Sequence, residues 1–175
     1  CHSARVPSCL WESAEIKAQP MHQRNIDDVL RLQKTAYAAD FLEDADSFLA
    51  KIAASPSSSF GAWRGDAMVG YLIALPLMTD EGLDLNTSNV PTIPIREARV
   101  MYIHDLAVQP EARSLGVADH LLQRLEDAVR GSAISQWHLV SVQGSQGFWE
   151  KRGFEVSPDP PPNGYGPEAV LMLRR

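Results

Sequence analysis

Hydrophobic positions along the chain follow two different spacings, and these spacings predict how helices and strands alternate. A helical spacing of apolar residues runs for several turns after Asn25, a residue that favours the N-cap position. The same spacing predicts helices over residues 44–54 and 115–129, and Gly131 follows the latter as a stop signal. A shorter helix is predicted within residues 143–154.

Apolar runs between these helices predict strands. Gly65 and Asp66 separate two such runs and are typical of a hairpin turn. A long polar excursion over residues 78–96 is unusual for a compact domain, so we expect it to line a functional site. The predicted strands lie at residues 14–19, on both sides of the turn within 60–77, and at 96–108, 136–142 and 168–173. The predicted order is βααβββαβαβ, with one further, optional strand at the end. This order predicts a mixed α/β sheet covered by helices.

Length and composition limit the classes of protein to which this chain can belong. Its 175 residues, 45% of them hydrophobic, are enough for one domain with a full core, which we place at residues 14–175 behind an N-terminal extension of residues 1–13. No apolar run approaches the length that a transmembrane helix needs, and the N-terminus lacks the apolar region of a secretory signal. Membrane insertion is therefore not expected.

Cysteine content and net charge predict a cytoplasmic protein without nucleic-acid partners. Cys1 and Cys9 both lie in the extension and form neither a disulfide framework nor a zinc-ligand spacing, so no metal is expected. The formal net charge of -6 opposes sequence-independent nucleic-acid binding, which uses basic residues to neutralise phosphates. It is compatible with a cationic small molecule as partner.

The hexapeptide RSLGVA at 113–118 lies where the 96–108 strand gives way to a helix, and its spacing suits a pyrophosphate. Helix N-termini expose unpaired N–H groups and partial positive charge. Gly116 and Ala118 keep this backbone accessible, and Arg113 can form charge-assisted hydrogen bonds to phosphate oxygens. Taken alone, the hexapeptide favours an ordinary tight connection with a solvated arginine over a pyrophosphate site.

Together with FWEKRGF at 148–154, this hexapeptide resembles the signatures of the GCN5-related N-acetyltransferase (GNAT) family. Members use Arg/Gln-x-x-Gly-x-Gly/Ala after the fourth strand to bind the pyrophosphate of coenzyme A, and an aromatic-Glu-Lys-x-Gly-Phe segment ends their next βα unit. Both motifs stand in the family's order, and the resemblance covers residues 14–174. It implies a mixed, mostly antiparallel central sheet with splayed fourth and fifth strands, flanked by helices.

The resemblance also implies an acetyl-CoA site. In the family the pyrophosphate binds main-chain amides of the turn, and the pantetheine arm bonds to the backbone of the fourth strand. The N–H groups freed where the strands splay can polarise the thioester carbonyl. The implied cofactor contacts are Leu106, Ala107, Val108, Arg113, Ser114, Leu115, Gly116, Val117, Ala118 and Trp149.

His104 is the first candidate for the base that takes a proton from the acceptor's ammonium group. An imidazole titrates near neutral pH, and YIHDLAV is similar to the fourth strand of serotonin N-acetyltransferase, which has histidines at the positions of Tyr102 and His104. Strand alternation would place His104 with the even-numbered residues on one face and Asp105 on the other. The alternatives are a core histidine with satisfied hydrogen bonds, and a base supplied by water, Asp105 or Glu97.

The acid that protonates the departing thiolate is not evident. The family often has a tyrosine where this chain has Trp149, and an indole N–H cannot donate its proton as a phenol can. Ser145, Tyr102 and Tyr165 are the candidates. The thiolate could also leave unprotonated, since thiols have a pKa of about 8.5.

Two hypotheses for the function follow from these observations. The first is an enzyme that transfers an acetyl group from acetyl-CoA to a primary amine of a small molecule by direct attack. The second is a non-catalytic acyl-CoA-binding sensor or regulatory module with the same fold, which the missing tyrosine favours. Dimers are common in the family, so a homodimer is one expected assembly.

Overall fold

The computed structural model describes residues 15–175, so the predicted extension with Cys1 and Cys9 lies outside the described residues. The elements follow the predicted order, and the further strand is present as β6. The strands are β1 Ile16–Pro20, β2 Ser59–Arg64, β3 Ala67–Leu77, β4 Val100–Val108, β5 Gln136–Ser141, β6 Glu155–Val156 and β7 Val170–Arg174. The helices are α1 Ile26–Ala36, α2 Ala45–Ala54, α3 Val117–Val129 and α4 Gln146–Glu150. Between residues 15 and 175 no helix is both long and apolar enough to cross a bilayer.

All seven strands form one sheet in the order β1-β2-β3-β4-β5-β7-β6. Every neighbouring pair is antiparallel except β4 and β5, which run parallel and are connected through α3. A parallel pair needs such a crossover connection, whereas the Gly65-Asp66 turn is enough for the antiparallel β2–β3 hairpin. The mixed, mostly antiparallel sheet implied by the resemblance is therefore present.

Helices cover both faces of the sheet and enclose two apolar cores. On one face, α1 and α2 pack on the sheet through buried residues that include Val29, Leu32, Phe48 and Ile52. On the other, α3 packs through Val117, Leu121 and Leu125, and the aromatic residues of the α4 region join the same cluster. Burial of apolar side chains on both faces is the main stabilising term for a sheet of this kind.

The helix starts follow from local hydrogen bonds. Asp44 precedes α2, and its carboxylate accepts a hydrogen bond from the Ser47 amide at 3.0 Å. Asn25 occupies the N-cap position of α1 as predicted, but its side chain accepts from the His22 amide instead of from the helix. Capping by Asp44 satisfies one of the amides that a helix N-terminus leaves without an intrahelical acceptor.

The fourth and fifth strands separate partway along their length. Their pairing begins at Val100 and Gln136 and ends at Ile103 and Leu139, although β4 continues to Val108. The later residues of β4 remain paired with β3 on their other side. The edge of β4 that faces β5 is therefore open beyond Ile103, which creates a notch between the two strands.

A β-bulge at His104 changes which way the side chains of β4 point. Ile73 of β3 pairs with Asp105, but the next residue, Ala74, pairs with Ile103, so His104 is the extra residue on β4. The simple alternation predicted for this strand is therefore wrong beyond His104. Asp105 lies on the same face as Tyr102, where it accepts a hydrogen bond from Tyr71, and is not on the opposite face.

Candidate active site

The notch between β4 and β5 is a cavity of about 460 Å³. Its walls come from the open edge of β4, the end of β5, the first turns of α3 and α4, and the end of α1. Both segments that carry the sequence motifs contribute to it. Its lining includes Tyr37, His104, Asp105, Leu106, Val108, Arg113, Ala118, Gln143, Ser145, Phe148 and Trp149.

One end of the notch is formed by the turn that precedes α3. Gly116 has a φ of 72°, a left-handed conformation that glycine adopts at little cost, and it joins a 3-10 turn at Pro110–Leu115 to α3. A Cβ atom added at Gly116 would meet no heavy atom within 4 Å. The guanidinium of Arg113 donates from Nε to the Val108 carbonyl at 3.3 Å, which places a positive charge beside this turn.

The predicted cofactor residues take different positions around this end. Leu106, Val108, Arg113 and Ala118 line the notch, and Ser114 and Gly116 are exposed in the turn next to it. Ala107 and Val117 are buried in the cores on opposite faces of the sheet, and Leu115 packs against the core on the α3 side. These three residues can therefore contact a ligand chiefly through their main chain.

Aromatic residues of the α4 region form one wall of the notch. Trp149 is buried and makes edge-to-face contacts with Phe148, at 4.8 Å between ring centroids, and with Phe154, at 5.5 Å. Ser145 lies on the same wall, and its hydroxyl is 2.9 Å from that of Ser141. Ser145 and Tyr37 carry the hydroxyl groups among the described lining residues.

A second, much smaller cavity of about 40 Å³ adjoins the catalytic candidates; we call it the inner chamber. It shares Tyr37, His104, Asp105, Val140 and Val142 with the notch. It adds groups from the segment between α1 and α2, from the excursion over residues 78–96 and from the loop before β7. The shared residues therefore separate the two cavities. The residues of the inner chamber are Tyr37, Phe41, Glu43, Leu85, His104, Asp105, Val140, Val142 and Tyr165.

Both ring nitrogens of His104 lie within hydrogen-bond distance of protein atoms. Nε2 is 2.8 Å from Oε2 of Glu43, and Nδ1 is 3.3 Å from the hydroxyl oxygen of Tyr165. The side chain is only 1% exposed, so bulk water does not compete for these contacts. The sequence identified His104 but gave no sign of Glu43, which lies between α1 and α2.

Glu43 is a buried carboxylate with a full set of donors. Its Oε1 accepts from Ser47 Oγ at 3.1 Å, Lys51 Nζ at 3.0 Å and the Asn86 amide at 2.8 Å. Burial alone would raise the pKa of Glu43, but the charges and hydrogen bonds of His104 and Lys51 outweigh it and lower that pKa to about 2. Glu43 is therefore ionised at every pH at which the protein is expected to work.

Asp105 is the second buried carboxylate of the inner chamber. Its Oδ2 accepts from the Tyr71 hydroxyl at 2.7 Å, while Oδ1 has no hydrogen-bond partner among the described residues. Burial and the negative charge of Glu43 raise the pKa of Asp105 to about 6, against the lowering effect of His104 and Tyr71. An unpaired buried oxygen is costly, so this position favours a ligand that donates hydrogen bonds.

Two residues that the sequence analysis missed close the notch on the α1 side. The Tyr37 hydroxyl donates to the Leu106 carbonyl at 2.9 Å, and burial raises the pKa of this phenol well above its usual value. Gln143 accepts from the Ala38 amide at 2.7 Å and donates to the Ala36 carbonyl at 3.1 Å, which ties the end of β5 to the end of α1. Neither residue belongs to a motif, so only the fold brings them here.

The remaining acid and base candidates lie away from the notch. Tyr102 is buried, its hydroxyl donates to the Leu83 carbonyl at 3.4 Å, and burial raises its pKa to about 12. Tyr165 lines the inner chamber but not the notch, and Glu97 is exposed in the turn before β4. Among residues 15–175, no group of three or more His, Cys, Asp and Glu side chains is arranged to hold a metal ion.

Comparison with solved structures gives the same fold at low sequence identity. The loading GNATL domain of CurA from Lyngbya majuscula has a TM-score of 0.77 and 12% identity, over 91% of this chain and 97% of that chain. The GphF GNAT-like decarboxylase in complex with isobutyryl-CoA has a TM-score of 0.74 and 15% identity, over 90% and 98%. The PaiA N-acetyltransferase from Thermoplasma acidophilum in complex with coenzyme A has a TM-score of 0.66 and 14% identity, over 92% and 99%.

No curated protein matches the sequence significantly. The family model described as Acetyltransferase (GNAT) family matches residues 26–154, which is more than half of the chain and includes both sequence motifs. The chain therefore belongs to the GNAT acetyltransferase family, and this membership supports an acyl-CoA-dependent acyltransferase activity.

Proposed function

We propose that this protein is an N-acetyltransferase that transfers the acetyl group of acetyl-CoA to a primary amine of a small molecule by direct attack. The notch between β4 and β5 is the observation that carries the proposal. It has an open helix N-terminus with Arg113 at one end, and His104 and Asp105 at the other. Such a cavity can accept a phosphorylated cofactor and an amine from opposite ends.

Several features support acetyl-CoA as the donor. The amides around Gly116 and the guanidinium of Arg113 would bind the pyrophosphate, because helix N-termini and arginine both favour anions. The open edge of β4 at Leu106 and Val108 would bond to the pantetheine arm and polarise the thioester carbonyl. The inner chamber is only about 40 Å³, which favours a short acyl group over a long one.

The charge around the inner chamber supports an amine as the acceptor. Glu43 is ionised, and Asp105 is ionised above a pH of about 6 while its Oδ1 has no partner among the described residues. An ammonium group supplies both the positive charge and the hydrogen-bond donors that this oxygen lacks. The acceptor would reach Asp105 from the notch, beside His104.

The proposed reaction removes two protons from the ammonium group; one proton is taken up by the departing sulfur and, in net terms, one is released to solvent. His104 takes a proton from the ammonium group, and the neutral amine attacks the thioester carbon. The C–N bond forms, the C–S bond breaks, and the proton of the attacking nitrogen is released as the amide product forms. The departing sulfur takes up a proton from water or from Ser145 or Tyr37, the hydroxyl groups at the notch.

The non-catalytic acyl-CoA-binding module is the second candidate. It is favoured by the closed surroundings of His104, whose two nitrogens both have protein neighbours, and by Trp149 in place of the family's tyrosine. A third possible activity is suggested by the GNAT-like decarboxylase among the similar structures. In that case this chain would release carbon dioxide from a carboxylated acyl-CoA and would need no amine.

One set of assays separates these functions. Thiol release from acetyl-CoA is measured with a panel of small primary amines, binding of acetyl-CoA is measured by calorimetry, and carbon dioxide release is measured with a carboxylated acyl-CoA. Amine-dependent thiol release, with a higher KM for the amine in Asp105→Asn, supports the acetyltransferase. Binding without turnover would support the sensor, and absence of binding at millimolar acetyl-CoA would contradict both.

A further inference from the structure

We infer that Glu43 is a positioning residue that fixes the tautomer of His104, so that Nδ1 and not Nε2 is the atom that takes the proton. The inference rests on the proposed role of His104 as base and adds a residue outside both sequence motifs. It follows from the hydrogen-bond partners of four side chains that meet beside the inner chamber: Glu43, Lys51, His104 and Tyr165.

The first step concerns Nε2 of His104. An ionised carboxylate can only accept hydrogen bonds, and Oε2 of Glu43 lies 2.8 Å from Nε2. Nε2 must therefore carry a hydrogen in both the neutral and the charged ring. The positive charge of Lys51, which is 0% exposed and lies 3.0 Å from Oε1, keeps Glu43 ionised in this buried position.

The second step concerns Nδ1. Its neighbour, the Tyr165 hydroxyl, has one hydrogen, and the Leu83 carbonyl at 2.9 Å is a closer acceptor for it than Nδ1 at 3.3 Å. The lone pair on Nδ1 of the neutral ring is therefore not occupied by a hydrogen bond from Tyr165 and can accept a proton. Tyr165 and Glu43 both line the inner chamber, so this lone pair faces the chamber. Asp105, where the acceptor's ammonium group is proposed to bind, lines both this chamber and the notch.

The third step concerns the charge that forms when Nδ1 takes a proton. The resulting imidazolium still donates from Nε2 to Glu43, so the carboxylate stabilises the new charge without any rearrangement. The other titratable groups that face the ring are Asp105 and Tyr102 of β4 and Tyr165 of the loop before β7. Of all the titratable groups named around the ring, Glu43 is the one within hydrogen-bond distance of Nε2.

The isosteric variant Glu43→Gln gives a specific test. Three donors, Ser47 Oγ, Lys51 Nζ and the Asn86 amide, surround the Oε1 position, so the amide oxygen of the glutamine would take it. The amide NH₂ group would then face Nε2 of His104 and require Nε2 to accept. The ring would adopt the opposite tautomer, with a hydrogen on Nδ1, and could no longer take a proton there.

The experiment combines ¹⁵N NMR of histidine-labelled protein with kinetics. The His104 resonances are assigned by comparison with His104→Gln. We expect protonated Nε2 and unprotonated Nδ1 for the neutral ring of the wild type, and the reverse in Glu43→Gln. We expect kcat to fall by roughly 10²- to 10⁴-fold with unchanged acetyl-CoA affinity, the scale seen when an isosteric amide imposes the wrong tautomer on a catalytic histidine.

Two controls distinguish positioning from a structural role. Asp44→Asn removes a neighbouring negative charge without touching His104, and asparagine still caps a helix, so kcat and the NMR tautomer should not change. The double variant Glu43→Gln/His104→Gln should be no slower than His104→Gln alone, because Glu43 acts through His104. A further loss in the double variant would show that Glu43 acts independently.

The NMR result also separates this inference from the proposed function. A wild-type ring with its hydrogen on Nδ1 would overturn the inference whatever the activity, and this measurement does not need Glu43→Gln to fold. Glu43→Gln with the wild-type tautomer would overturn it too. If the predicted tautomers are seen but no amine is acetylated, the positioning by Glu43 stands and the proposed function fails.

Discussion

Oε2 of Glu43 and Nε2 of His104 lie 2.8 Å apart, although 61 residues separate them along the chain. Their side chains are 2% and 1% exposed, and Lys51 on the far side of Glu43 is fully buried. Three ionisable groups are thus packed in a row between the sheet and α2. Groups removed from water in this way need complete hydrogen bonding, so single changes among them should have large and specific effects.

Replacing His104 with glutamine should lower turnover by roughly 10²- to 10⁴-fold if the imidazole is the base. Glutamine can still form hydrogen bonds in the same space but cannot take a proton at neutral pH. Steady-state kinetics and thermal unfolding should be measured together. His138→Gln is a matched control, because His138 is also buried on a strand of this sheet but lines neither cavity. A wild-type rate and pH profile in His104→Gln would remove this residue from the mechanism.

Replacing Gly116 with glutamate should abolish detectable acetyl-CoA binding, because a negative side chain would occupy the proposed pyrophosphate site. Gly131→Glu is the matched control: Gly131 also has a positive φ, 80°, and open space around it, but it follows the opposite end of α3. Both variants pay a similar backbone cost of about 1–3 kcal/mol. Calorimetry should show binding lost only in Gly116→Glu, and equal affinity in both variants would contradict this site.

Replacing Lys51 with methionine should destabilise the protein by about 3–5 kcal/mol, because Glu43 loses its compensating charge inside the protein. Adding Glu43→Gln should recover part of this loss. Urea unfolding of the two single variants and the double variant measures both effects. Simple additivity of the single changes would show that the Glu43–Lys51 contact is not energetically coupled.

Glu43, which His104 and Lys51 both contact, also gives the stability a pH dependence. The folded-state pKa of Glu43, about 2, is below its ordinary value of 4.5, so its contribution to stability is fully present above pH 4.5 and is lost as the pH falls toward 2. In Lys51→Met the pKa of Glu43 should rise, which shifts the acid unfolding of the variant to higher pH. Identical acid-unfolding midpoints would contradict this account.

Replacing Asp105 with asparagine should raise the free energy of unfolding, relative to the wild type, by more at neutral pH than at acid pH. Burial raises the folded-state pKa of Asp105 from 3.8 to about 6, so the wild type loses stability as the pH rises through this window. Two pKa units correspond to about 3 kcal/mol. The free energy of unfolding of Asp105→Asn minus that of the wild type should therefore increase by up to about this amount between pH 4 and pH 7. A flat difference would mean that burial does not perturb Asp105.

Much of the fold was predictable because its signals are local. The helical spacing after Asn25, the Gly65-Asp66 turn and the RSLGVA junction each depend on residues close together in the sequence, and each element lies where it was predicted. Strand β6 was predicted only as an optional addition, because its two residues carry no periodic pattern and depend on pairing with β7.

The surroundings of the candidate catalytic residues were less predictable because they depend on contacts between distant segments. The bulge at His104 arises from how β4 pairs with β3, so alternation along β4 alone placed Asp105 on the wrong face. Glu43 and Tyr37 reach the site only after α1 and α2 have packed on the sheet. No spacing within their own segments indicates this arrangement.

The separation of β4 from β5 has a consequence for how such a protein can diverge. The gap begins where main-chain pairing between the two strands stops, at Ile103 and Leu139, so it is a feature of the backbone. Substitutions elsewhere can therefore accumulate without removing the place where a thioester would lie. We therefore expect loops such as the one over residues 78–96 to change for new acceptors while the proposed donor site stays the same.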